Sequence, residues 1–264
     1  MTVGRSLAAA QTIPKRGDLE ANLRGHVLLI QAAAEMQARV LVFPELSLTG
    51  YELDLADDLA FSESDGRLTP LIELASSYHM TLVVGAPVRI ECRLHIAAFI
   101  LSPDRSVDLY TKHLLGAFPS DASPDGAVPP AEGTVFHPGH RNPLLRFDGN
   151  TAAVAVCADI HRRSHPKEAA RRGARSYLAS MFVIPADLER DTALLQEYAV
   201  THSMAVVFSN FGGPSGGLPS GGSSTIMSEK GEVLAQLPAI GAGIAIAVED
   251  GGGWRTKVVM FEGL

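Results

Sequence analysis

Val40-Leu41-Val42-Phe43-Pro44-Glu45 decides the fold of this chain. Four apolar residues run together without the polar alternation of a half-exposed strand, so the segment reads as a strand covered on both faces. Strands of that kind belong to α/β architectures, in which helices pack over a sheet. Glu45 then stands just beyond the carboxyl end of a buried strand, where α/β proteins bind their ligands.

Working outward, the flanking segments keep the α/β pattern. Upstream, Asp18 can cap a helix whose apolar positions Leu19, Leu23, Val27 and Ile30 recur at helical spacing. Downstream, Thr69 followed by Pro70 reads as an N-cap with proline at the first helical position. Strands are expected at 81–84, 96–101 and 107–110, and a long loop rich in Pro, Gly, Asp and Ser over 119–143. A strand at 152–156 follows, then a helix at 166–172 that Gly173 terminates. Beyond it lie a strand at 177–179, a helix at 188–201, a strand at 205–208 and a glycine-rich loop at 212–222. The tail, 223–248, reads as three short strands. Without an internal repeat or a linker, the expectation is a single domain over 1–264.

Bulk properties narrow the function classes. Apolar residues make up 46% of the 264 and charged residues 19%, ample material for a core and against disorder. The net charge is −7, and the densest basic cluster, Arg162-Arg163, Lys167 and Arg171-Arg172, is interrupted by Glu168. It reads as a solvated helix face, and no nucleic-acid partner is expected. Two cysteines, Cys92 and Cys157, make no disulfide framework. Met1 to Arg5 shows no targeting core, and no apolar run suggests a membrane span. A soluble, cytoplasmic protein is expected.

Three reactive side chains stand at the ends of apolar strand runs. Glu45 follows 40–44, Lys112 follows 107–110, and Cys157 closes 152–156. A thiolate is a strong nucleophile, but free cysteine is mostly protonated at neutral pH. A carboxylate can take the thiol proton and deliver it to a leaving nitrogen, and an ammonium can hold an oxyanion. Taken singly, each has a plainer role: a strand-end cysteine is usually a packed thiol, and a loop Glu or Lys usually a surface charge. Cys92 keeps the buried-thiol reading.

Four segments, in order, resemble the carbon–nitrogen hydrolase (nitrilase-like) superfamily. They are Val42-Phe43-Pro44-Glu45-Leu46-Ser47-Leu48-Thr49-Gly50-Tyr51, Tyr110-Thr111-Lys112-His113-Leu114, Glu132-Gly133-Thr134-Val135-Phe136-His137-Pro138-Gly139, and Val154-Ala155-Val156-Cys157-Ala158-Asp159. Gln11, Asn22, Ser209-Asn210 and Gly222-Ser223-Ser224 fit the family's other segments. Two departures stand out: His113 follows Lys112 directly, and His165-Pro166-Lys167-Glu168 replaces the usual aromatic, Pro and Glu. The resemblance implies a four-layer α-β-β-α sandwich, paired as a homodimer or higher homo-oligomer, and no cofactor. It implies a Glu45–Lys112–Cys157 triad, with Glu132 as a second glutamate and the Ala158 N–H as an oxyanion donor. The expected activity is hydrolysis of a small amide, of amidase, omega-amidase or N-carbamoyl hydrolase type. Cysteine followed by Ala-Asp fits amidase-like branches better than true nitrilases. Tyr51, Phe118, Met181, Phe182 and Asn210 are candidate pocket walls, and Arg175 a weaker candidate for a substrate carboxylate.

Other readings stay open beside it. Nitrile hydrolysis or acyl transfer can run at the same site. A catalytically silent member would act as a binding or scaffold domain. A metal hydrolase would have to use His137 with His140, or His161 with His165, and neither pair has helical zinc-peptidase spacing with its glutamate. No metal is expected.

Overall fold

The computed structural model describes residues 4–123 and 126–263. Met1–Val3, part of the stretch read for a targeting signal, and residues 124–125 of the long loop lie outside them. In chain order the strands and helices are β1 (Ser6–Gln11), α1 (Leu19–Glu35), β2 (Val40–Val42), α2 (Thr69–Ser77), β3 (Thr81–Ile90), β4 (Arg93–Leu101) and β5 (Val107–Thr111). Then come β6 (Leu144–Phe147), β7 (Asn150–Val156), α3 (Ser164–Arg171), β8 (Ser176–Ser180), α4 (Leu188–His202) and β9 (Ala205–Ser209). The tail supplies β10 (Thr225–Met227), β11 (Val233–Gln236), β12 (Ala242–Asp250) and β13 (Gly253–Phe261).

The strands form a seven-stranded sheet, ordered β13-β12-β1-β2-β3-β4-β5, and a six-stranded sheet, ordered β11-β10-β9-β8-β7-β6. Each has a parallel centre, β1-β2-β3 in one and β7-β8-β9 in the other, with antiparallel strands outside it. Side-chain alternation assembles the layers. Leu7, Ala9, Val40, Val42, Val154 and Val156 point between the sheets into one shared core. Ala8, Ala10, Leu41 and Phe43 point the other way, under α1 and α2. Ala153, Ala155 and Tyr177 face α3 and α4. The outcome is the four-layer α-β-β-α sandwich. Its central strands are apolar on both faces, which explains their unbroken runs.

The helix signals hold in detail. The Asp18 side chain accepts from the Ala21 N–H at 2.9 Å and caps α1. Gly173 ends α3 with φ of 92°, a conformation that suits glycine. The basic residues at 162–163, 167 and 171–172 are exposed, as a solvated face requires.

Several boundaries differ from expectation. Thr69 is the first residue of α2 rather than its cap, because Asp65 already caps a 3-10 turn that runs into the helix. β6 arises from a segment for which no element was expected, recruited by pairing with β7. The three strands expected over 223–248 are β10, β11 and β12, and a further strand beyond them, β13, closes a long hairpin with β12. Cys92 is exposed, not buried: with Glu91 it forms the two-residue turn between β3 and β4. Its charged neighbours Glu91 and Arg93 were the available signal. Among the described residues, no helix is long and apolar enough to cross a membrane.

Candidate active site

Glu45 sits on a tight turn after β2, pressed against β3. The Phe43 N–H donates to the Val83 carbonyl at 2.9 Å and the Leu48 N–H to that of Gly85 at 3.0 Å. A Cβ on Gly85 would lie 2.3 Å from the Leu46 nitrogen and 2.7 Å from the Pro44 oxygen, so only glycine lets this turn approach. The other sheet anchors it too. The hydroxyls of Ser180 and Ser209 donate to the Phe43 and Val42 carbonyls at 2.8 Å, and the Glu45 N–H donates to the Met181 carbonyl at 3.2 Å. The carboxyl ends of β2, β8 and β9 are thereby stitched together.

Lys112 follows β5, its backbone N–H held by the Ile96 carbonyl at 2.8 Å. Its side chain is wholly buried, and Nζ donates to Glu45 Oε1 and Glu132 Oε1, each at 2.7 Å. Glu132, on a 3-10 turn of the long loop, also accepts from the Tyr51 hydroxyl and the Gly116 N–H, both at 2.7 Å. Burying charge is costly unless every ion is paired and hydrogen-bonded, and this cluster meets that condition with one exception. Glu45 Oε2 is buried and has no hydrogen-bond partner among the described residues.

Cys157 ends β7 and opens a 3-10 turn, Cys157–His161, with φ of 44°. A left-handed conformation costs a non-glycine residue ~1–2 kcal/mol. The sharp corner turns Sγ towards a cavity, where it donates to the Phe182 carbonyl at 3.5 Å. Asp159 fastens the corner to the lysine segment. Its Oδ1 accepts from the His113 and Leu114 N–H groups at 3.0 and 2.7 Å. Its Oδ2 accepts from the Tyr110 hydroxyl at 2.7 Å and the Val156 N–H at 3.3 Å.

Burial and mutual charge tune these groups. Burial lifts Glu45 to about 7, with Lys112 pulling down and Glu132 adding to the rise. Burial opposes the Lys112 charge, but Glu45 and Glu132 outweigh it and hold the ammonium firmly protonated. Burial would raise Glu132, yet Lys112, Gly116 and Tyr51 keep it below the usual carboxylate range. Burial and the Glu45 charge push the Cys157 thiol up, against Lys112. The arrangement pairs a neutral thiol with a carboxylate that changes protonation near neutrality, beside a fixed cation. Such a set can move a proton from sulfur to carboxylate and stabilise an oxyanion.

The cavity, of about 110 Å³, is lined in part by Tyr51, Phe118, Glu132, Cys157, Ala158 and Phe182. Tyr51, Phe118 and Phe182 pack on one another, with ring centroids 4.9–5.6 Å apart. Ala158 is the second residue of the turn, where amides lack an acceptor within the helix. Two expected wall residues lie elsewhere. Met181 is packed beneath α3 and α4, where side-chain alternation past β8 sends it, and only its carbonyl serves the site. Asn210 is buried behind the wall, clamping Val183 through its N–H and carbonyl at 3.0 and 3.1 Å. Arg175 is exposed before β8, and its carbonyl accepts from Arg5 at 3.2 Å. Sequence reasoning missed Gly116, His161, Asp187, Arg190 and Asp191 in the cavity wall. The last three lie in the connection after β8, and its position beyond a strand end was the signal available.

Of the histidines weighed for a metal, His161 and His165 engage different partners: His161 bonds Asp191 at 3.0 Å, and His165 lies between Tyr110 and Tyr177 at 3.0 and 2.8 Å.

Residues 6–255 match the family model described as carbon-nitrogen hydrolase. The chain belongs to the carbon–nitrogen hydrolase family. Among solved structures, this carbon–nitrogen hydrolase is similar to the amidase from Nesterenkonia sp. AN1. A cysteine-to-alanine variant of that amidase in complex with butyramide superposes with a TM-score of 0.80 at 23% identity, over 95% of this chain and 93% of that one. A second variant, with the acetamide moiety of fluoroacetamide added at the active-site cysteine, gives 0.80 and 23% over 94% and 91%. These likenesses show the shared fold. Among curated proteins, the glutamine-dependent NAD(+) synthetase of Acinetobacter baylyi is 26% identical over 88% of this chain and 42% of its own length. That of Thermotoga maritima is 25% identical over 85% and 38%. The chain thus spans about two fifths of the curated relatives it matches.

Proposed function

We propose that this carbon–nitrogen hydrolase cleaves the C–N bond of a small linear amide through a thioester on Cys157. The observation that carries the reading is the buried Lys112 ammonium, bonded at 2.7 Å to both Glu45 and Glu132, beside a cavity that also holds the left-handed Cys157. As Sγ attacks the amide carbon, Glu45 takes the thiol proton. The Lys112 ammonium and the Ala158 N–H hold the resulting oxyanion. Collapse of the tetrahedral adduct breaks the C–N bond, and Glu45 returns its proton to the nitrogen, which leaves as ammonia or an amine. Water then adds to the thioester with Glu45 as base, releasing a carboxylic acid and regenerating the thiol. Glu132 holds Lys112 and bounds the cavity. Among amides, an ω-amide such as glutamine is favoured by the names of the curated relatives. The β13 edge, with exposed Val258 and Met260, suits pairing with a second copy of the chain.

Mass spectrometry of the intact protein after brief exposure to butyramide and L-glutamine tests the reading. An acyl-sized adduct on Cys157, absent from Cys157→Ala, is expected together with ammonia release. Amide turnover that persists in Cys157→Ala would overturn it.

A further inference from the structure

A buried chain of side chains behind the Cys157 corner has no part in the chemistry proposed so far. His165, on α3, lies between two tyrosines. Its Nε2 is 3.0 Å from the Tyr110 hydroxyl of β5, and its Nδ1 is 2.8 Å from the Tyr177 hydroxyl of β8. Tyr110 continues to Asp159 Oδ2 at 2.7 Å. Both tyrosines are wholly buried, and His165 and Asp159 nearly so. His165 is not one of the residues lining the cavity, and it stands in the segment that departs from the family pattern.

Counting hydrogens gives this chain a single direction. A carboxylate only accepts, and Asp159 already takes three backbone N–H groups, so the one Tyr110 hydroxyl hydrogen goes to it. The Tyr110 oxygen then offers His165 only lone pairs, and Nε2 must donate. Burial lowers His165 to about 4, and His113, Arg162 and Arg172 add to the fall against Asp159, so the ring is neutral at pH 7. A neutral imidazole has one N–H. Nδ1 is therefore bare and accepts from Tyr177. The order runs Tyr177, His165, Tyr110, Asp159, each donating to the next. An apolar ring of the same size would fill the space and break both histidine bonds.

The last member ties this chain to the site. Asp159 lies two residues beyond Cys157, and its Oδ2 holds the Val156 N–H just before the corner. Its Oδ1 holds the His113 and Leu114 amides directly after Lys112. One carboxylate thus sets the Cys157 corner against the lysine segment, and the Tyr110 hydroxyl fixes how that carboxylate is turned. The left-handed Cys157 needs such support, because a strained backbone persists only where its surroundings over-determine it. Misplacing reacting groups by ~1 Å can cost about 10²-fold in rate. Packing alone accounts for the burial, but not for a directed chain that ends on this carboxylate.

We propose that His165 is a positioning residue of this site: its Nε2–H orients Tyr110 and, through it, the Asp159 carboxylate that sets Cys157 against Lys112. This rests on the amide-hydrolase reading above and adds a residue that governs its rate without touching substrate.

Two measurements test it. ¹⁵N NMR of the histidine-labelled protein, with His165 assigned by its loss in His165→Gln, should show the Nε2–H tautomer at pH 7. An Nδ1–H tautomer or an imidazolium there overturns the proposal. With butyramide as substrate, His165→Phe should lower kcat at least tenfold and leave KM within twofold, at a temperature where circular dichroism shows it folded. His165→Gln, which keeps a donor for Tyr110, should recover at least threefold of that loss. In a Tyr110→Phe background the same His165→Phe change should cost less than twofold, because its route to Asp159 is gone. An unchanged kcat in His165→Phe, or a full tenfold loss in the Tyr110→Phe background, sinks the positioning role. If His165→Phe does not fold, Tyr177→Phe replaces it: with Nδ1 freed the tautomer is no longer fixed, and kcat should fall at least threefold. An unchanged kcat there has the same adverse meaning. If wild type turns over no amide, the hydrolysis fails, and alkylation of Cys157 by iodoacetamide tests His165 alone. Lys112 favours the thiolate, so the loosened corner of His165→Phe should react at least fivefold more slowly; an equal rate removes His165 as well.

Discussion

Replacing Lys112 by methionine keeps much of the side-chain volume and removes the one cation between two buried carboxylates. At 2.7 Å, each contact is worth ~6 kcal/mol of gross attraction at an effective dielectric of about 20. Much of that offsets the cost of burying the ions. Breaking a buried pair by removing one partner costs about 3–5 kcal/mol, which lowers Tm by roughly 6–20 °C for a domain of this size. The deficit should depend on pH, with a sign set by Glu132. In the wild type its carboxyl is held below the usual range, so its contribution is present at neutral pH and lost as the solution is acidified. In Lys112→Met both carboxylates titrate above their unfolded values, and the variant's stability is lost as pH rises. The gap in Tm should therefore be wide at pH 7.5 and narrow at pH 5. Scanning calorimetry at the two values measures it. A gap equal at both, or a shift under about 2 °C at pH 7.5, would show that Lys112 does not neutralise these groups.

Four further outcomes follow from the same geometry. With Glu45 near 7 and acting as base, kcat/KM should fall about tenfold per unit on the acid side of neutrality. In Glu132→Gln, which removes the charge that helps raise Glu45, that limb should move to lower pH; a limb that stays in place removes Glu45 as its source. Asp159→Asn replaces an acceptor-only carboxylate that serves three backbone amides and the Tyr110 hydroxyl. It should cost about 1.5–3 kcal/mol in urea unfolding, and a loss under ~0.5 kcal/mol would show the elbow is held by other contacts. Cys157→Gly should be more stable than Cys157→Ala by ~0.5–1 kcal/mol, because glycine accepts a positive φ; the reverse order in chemical denaturation would place the corner in an unstrained conformation.

Much of the layering was legible because its cause is local. Asp18 announced α1, Gly173 announced the end of α3, and unbroken apolar runs marked strands covered on both faces. β6 and β13 escaped because both are half-exposed edge strands, paired through short hairpins and lacking the unbroken apolar run of the central strands. Cys92 escaped because a thiol packs like a small hydrophobe, whereas here a two-residue turn left it outside. At the candidate site, Glu45, Lys112 and Cys157 were visible as strand-end residues, and Glu132 only through resemblance. Met181 and Asn210 were named for their positions after strands, but alternation turned one outward and hydrogen bonding drew the other behind the wall.

By itself the amino-acid order determined which segments are buried and which polar groups leave their ends, because burial pattern and capping act over a few residues. Tertiary structure alone decided that Lys112 meets two glutamates, that Gly85 admits the Glu45 turn, and that Arg190 borders the cavity of Cys157. Those contacts join residues tens of positions apart in sequence, carried on different strands, loops and helices, and only the assembled sheets with their connections set the distances.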